Sequence, residues 1–212
     1  LVPAHTFIAT WLAVSHVGAS PIPVEPTSSG YNMDPEHAAT LISSRTTAII
    51  PVHLYGVPAD MMPITDLADR HNLALIADAA QAVGARSGGR RIGELAPTST
   101  LSFYPAKNLG ALGDGGAILT NSSEVASKLR KLRNYGSDTK YVHEVVGYNS
   151  RLDELQAAFL RAKLNCLPRW NERRAEIATQ YTEGLAQSKL MLPRVAKDVE
   201  SSWHLYVVQS KN

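Results

Sequence analysis

The sequence predicts an α/β domain built on a mostly parallel sheet. Apolar runs rich in β-branched residues alternate with amphipathic segments along most of the chain, and this alternation is typical of parallel sheets. The runs at residues 47–52 and 73–77 contain few polar residues, which indicates strands buried on both faces. A chain of 212 residues with 44% apolar residues can bury one substantial core around such a sheet.

The first half of the chain contains the strands and helices that define this alternation. We predict the end of a strand at residues 1–4, helices at 6–17, 34–43 and 59–71, and strands at 22–24, 47–52 and 73–77. Gly18 ends the first helix. Asp34 and Pro35 begin the second one, because an aspartate caps free N–H groups and a proline suits the first turn.

In the second half of the chain, helices take over from strands. We predict helices at 79–83, 122–135 and 151–185, strands at 100–104, 117–120 and 203–208, and a polar turn at 88–93. Pro168 must kink or split the longest helix, because proline lacks the N–H group that a helix interior needs. We expect a large domain over residues 1–165 and the start of a small α/β domain over 166–212, with both ends cut through a domain.

Composition limits the function classes. The chain has 21 basic and 19 acidic residues and a net charge of +2, which argues against binding nucleic acid or an anionic membrane. The single cysteine excludes an intrachain disulfide and a multi-cysteine zinc site. No apolar run approaches the roughly 18 residues that a membrane-spanning helix needs. We therefore expect a cytoplasmic protein without a metal site that acts on small molecules.

Three polar residues stand at or just after predicted strand ends, where open parallel sheets bind their ligands. They are Asp78, Ser102 and Lys107. Singly, each has an ordinary structural interpretation, namely a helix cap, a hydrogen bond to backbone and a solvated charge. Together they meet the needs of pyridoxal phosphate: an amine for a Schiff base, a carboxylate for the ring nitrogen and donors for the phosphate.

Five collinear motifs resemble the DegT family of sugar aminotransferases. They are VPAHTF at residues 2–7, PVHLYG at 51–56, DAAQA at 78–82, SFYPAKNLG at 102–110 and GYNSRLDELQAA at 147–158. The resemblance implies the fold-type I aminotransferase architecture, with a large cofactor-binding domain on a mostly parallel sheet of the seven-stranded type and a small α/β domain. It also implies active sites formed at a homodimer interface.

The same resemblance implies roles for individual residues around the cofactor. Lys107 matches the lysine that forms the Schiff base, and Asp78 matches the acid that pairs with the pyridinium nitrogen. Gln81 corresponds to the side chain beside the ring hydroxyl, Ser102 to a phosphate-binding serine, and Phe7 to the aromatic ring that stacks on the pyridine.

Three further residues have less direct roles. Asn149 matches the residue that reaches the phosphate of the neighbouring subunit. Tyr104 falls where some relatives place a histidine near the path of proton transfer. His53 either lines the cofactor pocket or is a buried histidine satisfied by backbone groups. Another part of the phosphate site normally lies in a stretch that precedes Leu1 in the family.

The implied reaction is transamination of a nucleotide-linked keto-sugar, with glutamate as the amino donor. Residues 110–114, 148–151 and 203–208 are most similar to members that aminate C3 of a dTDP-linked 3-keto-6-deoxyhexose, and amination at C4 is the alternative. Lys107 argues against family members that are dehydratases, which carry histidine there. A non-catalytic pyridoxal-phosphate sensor and an α/β interaction domain remain open.

Overall fold

The centre of the fold is a sheet of short strands covered by helices. The computed structural model describes residues 1–210. Its strands are β1 (Val2–Pro3), β2 (Pro23–Val24), β3 (Ala48–Ile49), β4 (Ala74–Asp78), β5 (Arg86–Ser87), β6 (Arg90–Arg91), β7 (Thr98–Ser102), β8 (Gly116–Thr120), β9 (Leu190–Met191), β10 (Val199–Glu200) and β11 (Gln209–Ser210). Its α-helices are α1 (Ile8–His16), α2 (Pro35–Thr40), α3 (Met61–Arg70), α4 (Ser123–Leu132), α5 (Glu154–Leu164) and α6 (Leu167–Gly184).

The strand order confirms the predicted mostly parallel sheet. β3, β4, β7 and β8 are neighbours in that order, with β3–β4 and β4–β7 parallel and β7–β8 antiparallel. The parallel pair β1–β2 extends the sheet beyond β3, because the Ile50 N–H donates to the Leu1 carbonyl at 2.9 Å. The carboxyl ends of β1, β4 and β7 therefore lie along one edge of the sheet.

Two apolar clusters hold helices against this sheet. In the first cluster, Ile49 of β3 and Ile64 of α3 are fully buried. The second cluster joins Phe103, directly after β7, to Leu160 of α5 and Leu167 of α6. Most of the favourable free energy of folding comes from such apolar burial, and here it fixes the strand ends and their loops relative to the helices.

Most predicted elements are present, and the local signals explain their limits. Asp34 Oδ1 accepts hydrogen bonds from the N–H groups of Glu36 (2.8 Å) and His37 (3.5 Å) at the start of α2, which confirms the predicted cap. The long helical stretch is split as predicted: α5 ends at Leu164, and Pro168 lies in the first turn of α6, where a missing N–H costs little.

Two predicted elements are wrong. Residues 79–83 form turns rather than a helix, because the segment is too short to repay helix nucleation and Gly84 follows with φ of 89°. Residues 203–208 are not a strand: Trp203 has φ of 46°, which interrupts extended backbone. The strand begins later, at Gln209, and pairs with β9.

The predicted polar turn at 88–93 is part of a small hairpin. Residues 88 and 89 are its glycine turn, between the antiparallel strands β5 and β6. β10 pairs with the other side of β5, so the segment before residue 200 reaches this hairpin. The last two residues of the predicted small domain lie outside the described part, and the boundary at residue 165 stays a prediction.

No helix within residues 1–210 combines the length and the apolar character that a membrane crossing requires. Over the same residues, no group of three or more histidine, cysteine, aspartate or glutamate side chains is arranged to hold a metal ion.

The packing of α3 gives a stability prediction with an internal control. Ile64→Ala removes a fully buried side chain and is expected to lower the free energy of unfolding by about 2–5 kcal/mol. Met62→Ala, on the exposed face of the same helix, should change it by no more than about 0.5 kcal/mol. Urea unfolding followed by circular dichroism measures both. Equal losses in the two variants would contradict this description of the core.

Candidate active site

Asp78 ends β4 with its carboxylate held by two donors. Its Oδ2 accepts a hydrogen bond from the Thr10 hydroxyl at 2.8 Å, and its Oδ1 accepts one from the Ala80 N–H at 3.0 Å. Thr10 is a buried residue of α1, the helix that follows β1. The ordinary interpretation of Asp78 as a cap is thus part of its role, since Oδ1 caps the turn after β4. The Thr10 contact is additional and orients the carboxylate.

Lys107 lies in the loop after β7 and interacts with this carboxylate. Burial lowers the pKa of the Lys107 amine from its ordinary value of 10.5, while the charge of Asp78 opposes that decrease. The two side chains are therefore close enough to influence each other, although they are 29 positions apart in sequence. Partial burial favours the neutral amine, which is the form in which a lysine can act as a nucleophile or accept a proton.

Ser102 and Tyr104 form the turn that leads from β7 to Lys107. The Tyr104 N–H donates to Ser102 Oγ at 3.3 Å, and the Lys107 N–H donates to the Tyr104 carbonyl at 2.8 Å. Ser102 is half-buried at the carboxyl end of β7. The backbone of Tyr104 thus contacts the backbone of Lys107, whereas its side chain is 54% exposed to solvent.

Gln81 faces the same strand edge from the turn after Asp78. Its Oε1 accepts a hydrogen bond from the Tyr55 N–H at 2.6 Å. Because a backbone N–H can only donate, this contact fixes which end of the Gln81 amide is oxygen and directs the NH₂ group elsewhere. Tyr55 has φ of 59°, a conformation that costs energy for a residue with a side chain.

Phe7 stands at the other side of this edge. It is the residue that precedes the first turn of α1, directly beyond the end of β1. Its ring is 67% exposed. A large exposed aromatic side chain next to charged groups at a strand end is available to cover a planar ligand.

Asn149 lies apart from the other predicted residues. Its backbone pairs with Asn134, after the end of α4, and its side chain is exposed. Among the described residues no hydrogen bond links it to Asp78, Ser102 or Lys107. The role of Asn149 at a neighbouring subunit stays a prediction.

His53 is buried, as one of its two interpretations predicts, but among the described residues a backbone group satisfies only its Nδ1 atom. It is completely buried, and its Nδ1 accepts a hydrogen bond from the Ala59 N–H at 3.0 Å. Burial lowers the pKa of its imidazole to about 4, so the ring is neutral at physiological pH. Its Nε2 has no hydrogen-bond partner among the described residues.

Two residues of this site gave little signal in the sequence. Thr10 is a small polar residue in a mostly apolar helix, and no sequence motif marks its hydroxyl as part of the site. His204 lies in the segment predicted as a strand, yet its imidazole contacts Asn108, the neighbour of Lys107, at 3.1 Å. A contact across 96 positions leaves no local pattern.

A cavity of about 1570 Å³ lies away from the predicted site, between β8 and helices α4 and α6. None of the predicted site residues, all of which fall in the described part, lines it.

The side chains at this edge of the sheet fit the groups of pyridoxal phosphate. Lys107 provides a partly desolvated amine, and Asp78 provides an oriented carboxylate. Phe7 provides an exposed ring, Gln81 an oriented amide, and Ser102 a hydroxyl at a strand end.

Comparison with known proteins places the whole chain in one family. The sequence pattern of the DegT/DnrJ/EryC1/StrS aminotransferase family matches residues 1–212. The chain is 54% identical to "Erythromycin biosynthesis sensory transduction protein EryC1" of Saccharopolyspora erythraea over 213 residues, covering 100% of this chain and 58% of that protein. It is 53% identical to the dTDP-3-amino-3,4,6-trideoxy-alpha-D-glucose transaminase of Streptomyces venezuelae over 212 residues, covering 100% and 56%.

A solved structure agrees with this placement. The fold superposes on DesV of S. venezuelae, crystallised in complex with a ketimine intermediate, with a TM-score of 0.96 at 52% identity. The match covers 99% of this chain and 57% of that one. This chain therefore spans a little over half the length of the relatives it matches.

The interaction between Asp78 and Lys107 gives a prediction about pH. Asp78→Asn removes the charge that opposes the lowering of the Lys107 pKa, so the pKa should fall further. The neutral, reactive amine then persists to lower pH, and the pH profile of Lys107 acetylation by acetic anhydride, read by mass spectrometry, should shift downwards. Lys128, exposed on α4, serves as the internal reference. An unchanged or upward-shifted Lys107 profile would exclude the interaction.

Proposed function

Because this chain belongs to the DegT/DnrJ/EryC1/StrS aminotransferase family, we propose that the full-length protein is a pyridoxal-phosphate-dependent aminotransferase of nucleotide-linked keto-sugars. The observation that carries the proposal is the half-buried Lys107 amine in the loop after β7, within electrostatic reach of the oriented Asp78 carboxylate at the end of the neighbouring strand β4. Such a pair is what a transaminase needs, since one group must bond to the cofactor and the other must hold a proton on its ring.

Each site residue of this chain would have a separate role in transamination. Pyridoxal phosphate, when bound, supplies an aldehyde that condenses with amines and a ring that accepts electrons from the adjacent carbon. Lys107 would hold the aldehyde carbon and, once displaced by the amino donor, move a proton to or from the substrate carbon. Asp78, held by Thr10, would keep the ring nitrogen protonated. Ser102 would donate to the phosphate, and Phe7 would cover one ring face.

The relatives support a specific substrate class. The transaminase of S. venezuelae is named for a dTDP-linked 3-amino sugar, and this chain is 53% identical to it over 212 residues. The proposed acceptor is therefore a dTDP-linked 3-keto-6-deoxyhexose, with glutamate as the amino donor; amination at C4 is the alternative. The product would enter amino-sugar biosynthesis. A cytoplasmic location completes the proposal.

A homodimer with shared active sites is part of the same proposal. The loop of residues 134–150 is anchored to α4 by the Tyr148 N–H, which donates to the Leu132 carbonyl at 2.6 Å, and by an ion pair between Lys131 and Glu144. Its apolar side chains nevertheless point outwards: Tyr141 is 82% exposed and Val146 93% exposed. Apolar residues on a firmly held loop favour a protein interface, and this loop ends at Asn149.

A sensor function is a second candidate because one relative is named a sensory transduction protein. A sensor would bind the cofactor through Lys107 as an enzyme does. It would differ in lacking turnover, so substrate conversion separates the two functions.

The enzymatic proposal is tested on the full-length protein. Borohydride should fix the cofactor to Lys107, as shown by peptide mass, and Lys107→Ala should abolish this bond. The variant should also lose transamination of dTDP-keto-sugars by glutamate by on the order of 10⁴-fold or more, since removing a covalent catalyst has effects of that size. NMR of the product identifies the aminated carbon.

Lys128→Ala is the matched control, because Lys128 is an exposed lysine of α4 outside the site; it should behave as the unaltered protein. Cofactor fixation that survives in Lys107→Ala would overturn the assignment. Fixation without turnover on any keto-sugar would favour the sensor.

Shared active sites are tested by mixing two inactive variants. Lys107→Ala and Asn149→Ala should each lose activity, because each damages every site of its own homodimer. After unfolding and refolding together, random pairing yields mixed dimers with one intact site, and about a quarter of full activity should return. If both residues served the same site within one chain, mixing would restore nothing.

A further inference from the structure

Asn108 ties the loop of Lys107 to two distant parts of the chain. Its side chain is only 6% exposed, and its Nδ2 donates to the Ser202 carbonyl at 2.7 Å and to Asn171 Oδ1 at 3.0 Å. Asn171 belongs to α6, and Ser202 lies in the segment that follows β10. Both hydrogens of the Asn108 amide are therefore used, and the residue next to Lys107 is fixed from both sides.

These contacts determine which way each amide points. A backbone carbonyl can only accept, so the NH₂ group of Asn108 must face Ser202. Asn171 Nδ2 donates to the Val83 carbonyl at 3.0 Å, and its oxygen consequently faces Asn108. The only group that Asn108 can offer to its third partner, His204, is its Oδ1 oxygen.

The orientation of Asn108 sets the tautomer of His204. His204 Nδ1 lies 3.1 Å from Asn108 Oδ1, and an acceptor there requires a proton on Nδ1. In the neutral ring, Nε2 then carries a lone pair.

The surroundings keep this imidazole neutral. Burial lowers the pKa of His204 to about 4, with further contributions from the charges of Lys107 in the loop after β7 and Arg174 on α6. Arg174 also donates to the Trp203 carbonyl at 3.2 Å. A protonated His204 would be a third cation beside these two.

The segment that carries His204 is itself held rigidly. The Ser202 N–H and the Ser201 hydroxyl both donate to the Gly56 carbonyl at 3.0 Å, and the Leu205 N–H donates to the Tyr55 carbonyl at 3.2 Å. Gly56 has φ of 97°, and a Cβ there would lie 2.7 Å from Ser202 Oγ. This close approach requires glycine and leaves His204 little freedom.

We propose that Asn108 and His204 are positioning residues for Lys107: Asn108 locks the lysine loop, and His204 in its Nδ1–H tautomer donates to Asn108 Oδ1 and completes the hydrogen-bond network that holds Asn108. This inference rests on the proposed function of Lys107. It adds a line of hydrogen bonds from the Val83 carbonyl through Asn171 and Asn108 to His204, which joins α6 and the 201–206 segment to the catalytic loop.

The network can be tested without bound cofactor. In cofactor-free full-length protein, ¹⁵N NMR of the His204 ring should show the Nδ1–H tautomer at pH 7. Asn108→Leu, which keeps the branched shape of the side chain and removes its hydrogen bonds, should abolish that preference and admit water to the lysine loop. Loss of burial raises the Lys107 pKa, so the acetylation profile of Lys107 should shift to higher pH.

Conservative replacement separates positioning from mere packing. In His204→Asn the amide nitrogen can replace Nδ1 as donor to Asn108, and the Lys107 profile should stay close to that of the unaltered protein. His204→Phe fills the space without a donor and should shift the profile as Asn108→Leu does. His71→Phe, at an exposed histidine after α3, is the control and should change nothing.

Activity of the loaded enzyme provides a further measurement. Misplacing a catalytic group by about 1 Å costs on the order of 100-fold, so kcat of Asn108→Leu should fall by about that factor with KM for glutamate little changed. If borohydride fixes the cofactor to Lys107 but Asn108→Leu leaves both the His204 tautomer and the Lys107 acetylation profile unaltered, the network proposal is wrong and the enzymatic proposal stands. If fixation fails in the unaltered protein, the enzymatic proposal is wrong, whereas NMR and acetylation still judge the network.

Discussion

Asp78 joins the segment of residues 51–53, helix α1 and the turn after β4 at one point. Its N–H donates to the Pro51 carbonyl and its carbonyl accepts from the His53 N–H, at 2.8 and 2.9 Å, which continues the parallel pairing beyond β3. Its carboxylate accepts from Thr10 of α1 and from the turn that follows β4. A charge at a strand end is normally mobile in water. Here the backbone and side-chain contacts hold the Asp78 carboxylate in one place. The charge that acts on the Lys107 amine therefore has a fixed position.

The parts of the fold that local patterns encode could be predicted from the sequence. The strand ending at Asp78 is an uninterrupted apolar run, and the cap at Asp34 and the break at Pro168 follow from the chemistry of single residues. The positions of Asp78, Ser102 and Lys107 at one edge follow from the parallel order of β4 and β7. For the same reason these residues could be proposed together, although each alone has an ordinary structural explanation.

The remainder depends on contacts that span long stretches of chain. Residues 203–208 are apolar enough for a strand, but the Leu205 N–H donates to Tyr55, and the preceding Ser201 and Ser202 donate to Gly56. These bonds hold the segment in an irregular path. The helix predicted at 79–83 does not form. The Asp78 carboxylate holds the Ala80 N–H in a turn, and Gly84 ends the segment with a positive φ. Thr10 and His204 join the site through partners at distances of 68 and 96 positions, where periodicity carries no information.

The hydrogen bonds and close contacts between the 201–206 segment and Gly56 limit which parts of this chain could be exchanged with those of a relative. The Asn108 contact to residue 202 uses a backbone carbonyl, so side chains at that position can vary without breaking it. The contacts made by His204 and Asn171 use side chains, and the close approach at Gly56 tolerates no added carbon. A chimaera that exchanges the C-terminal part would therefore have to transfer or match these three positions. A crossover placed between Asn108 and Asn171 would separate two side chains that hydrogen-bond to each other.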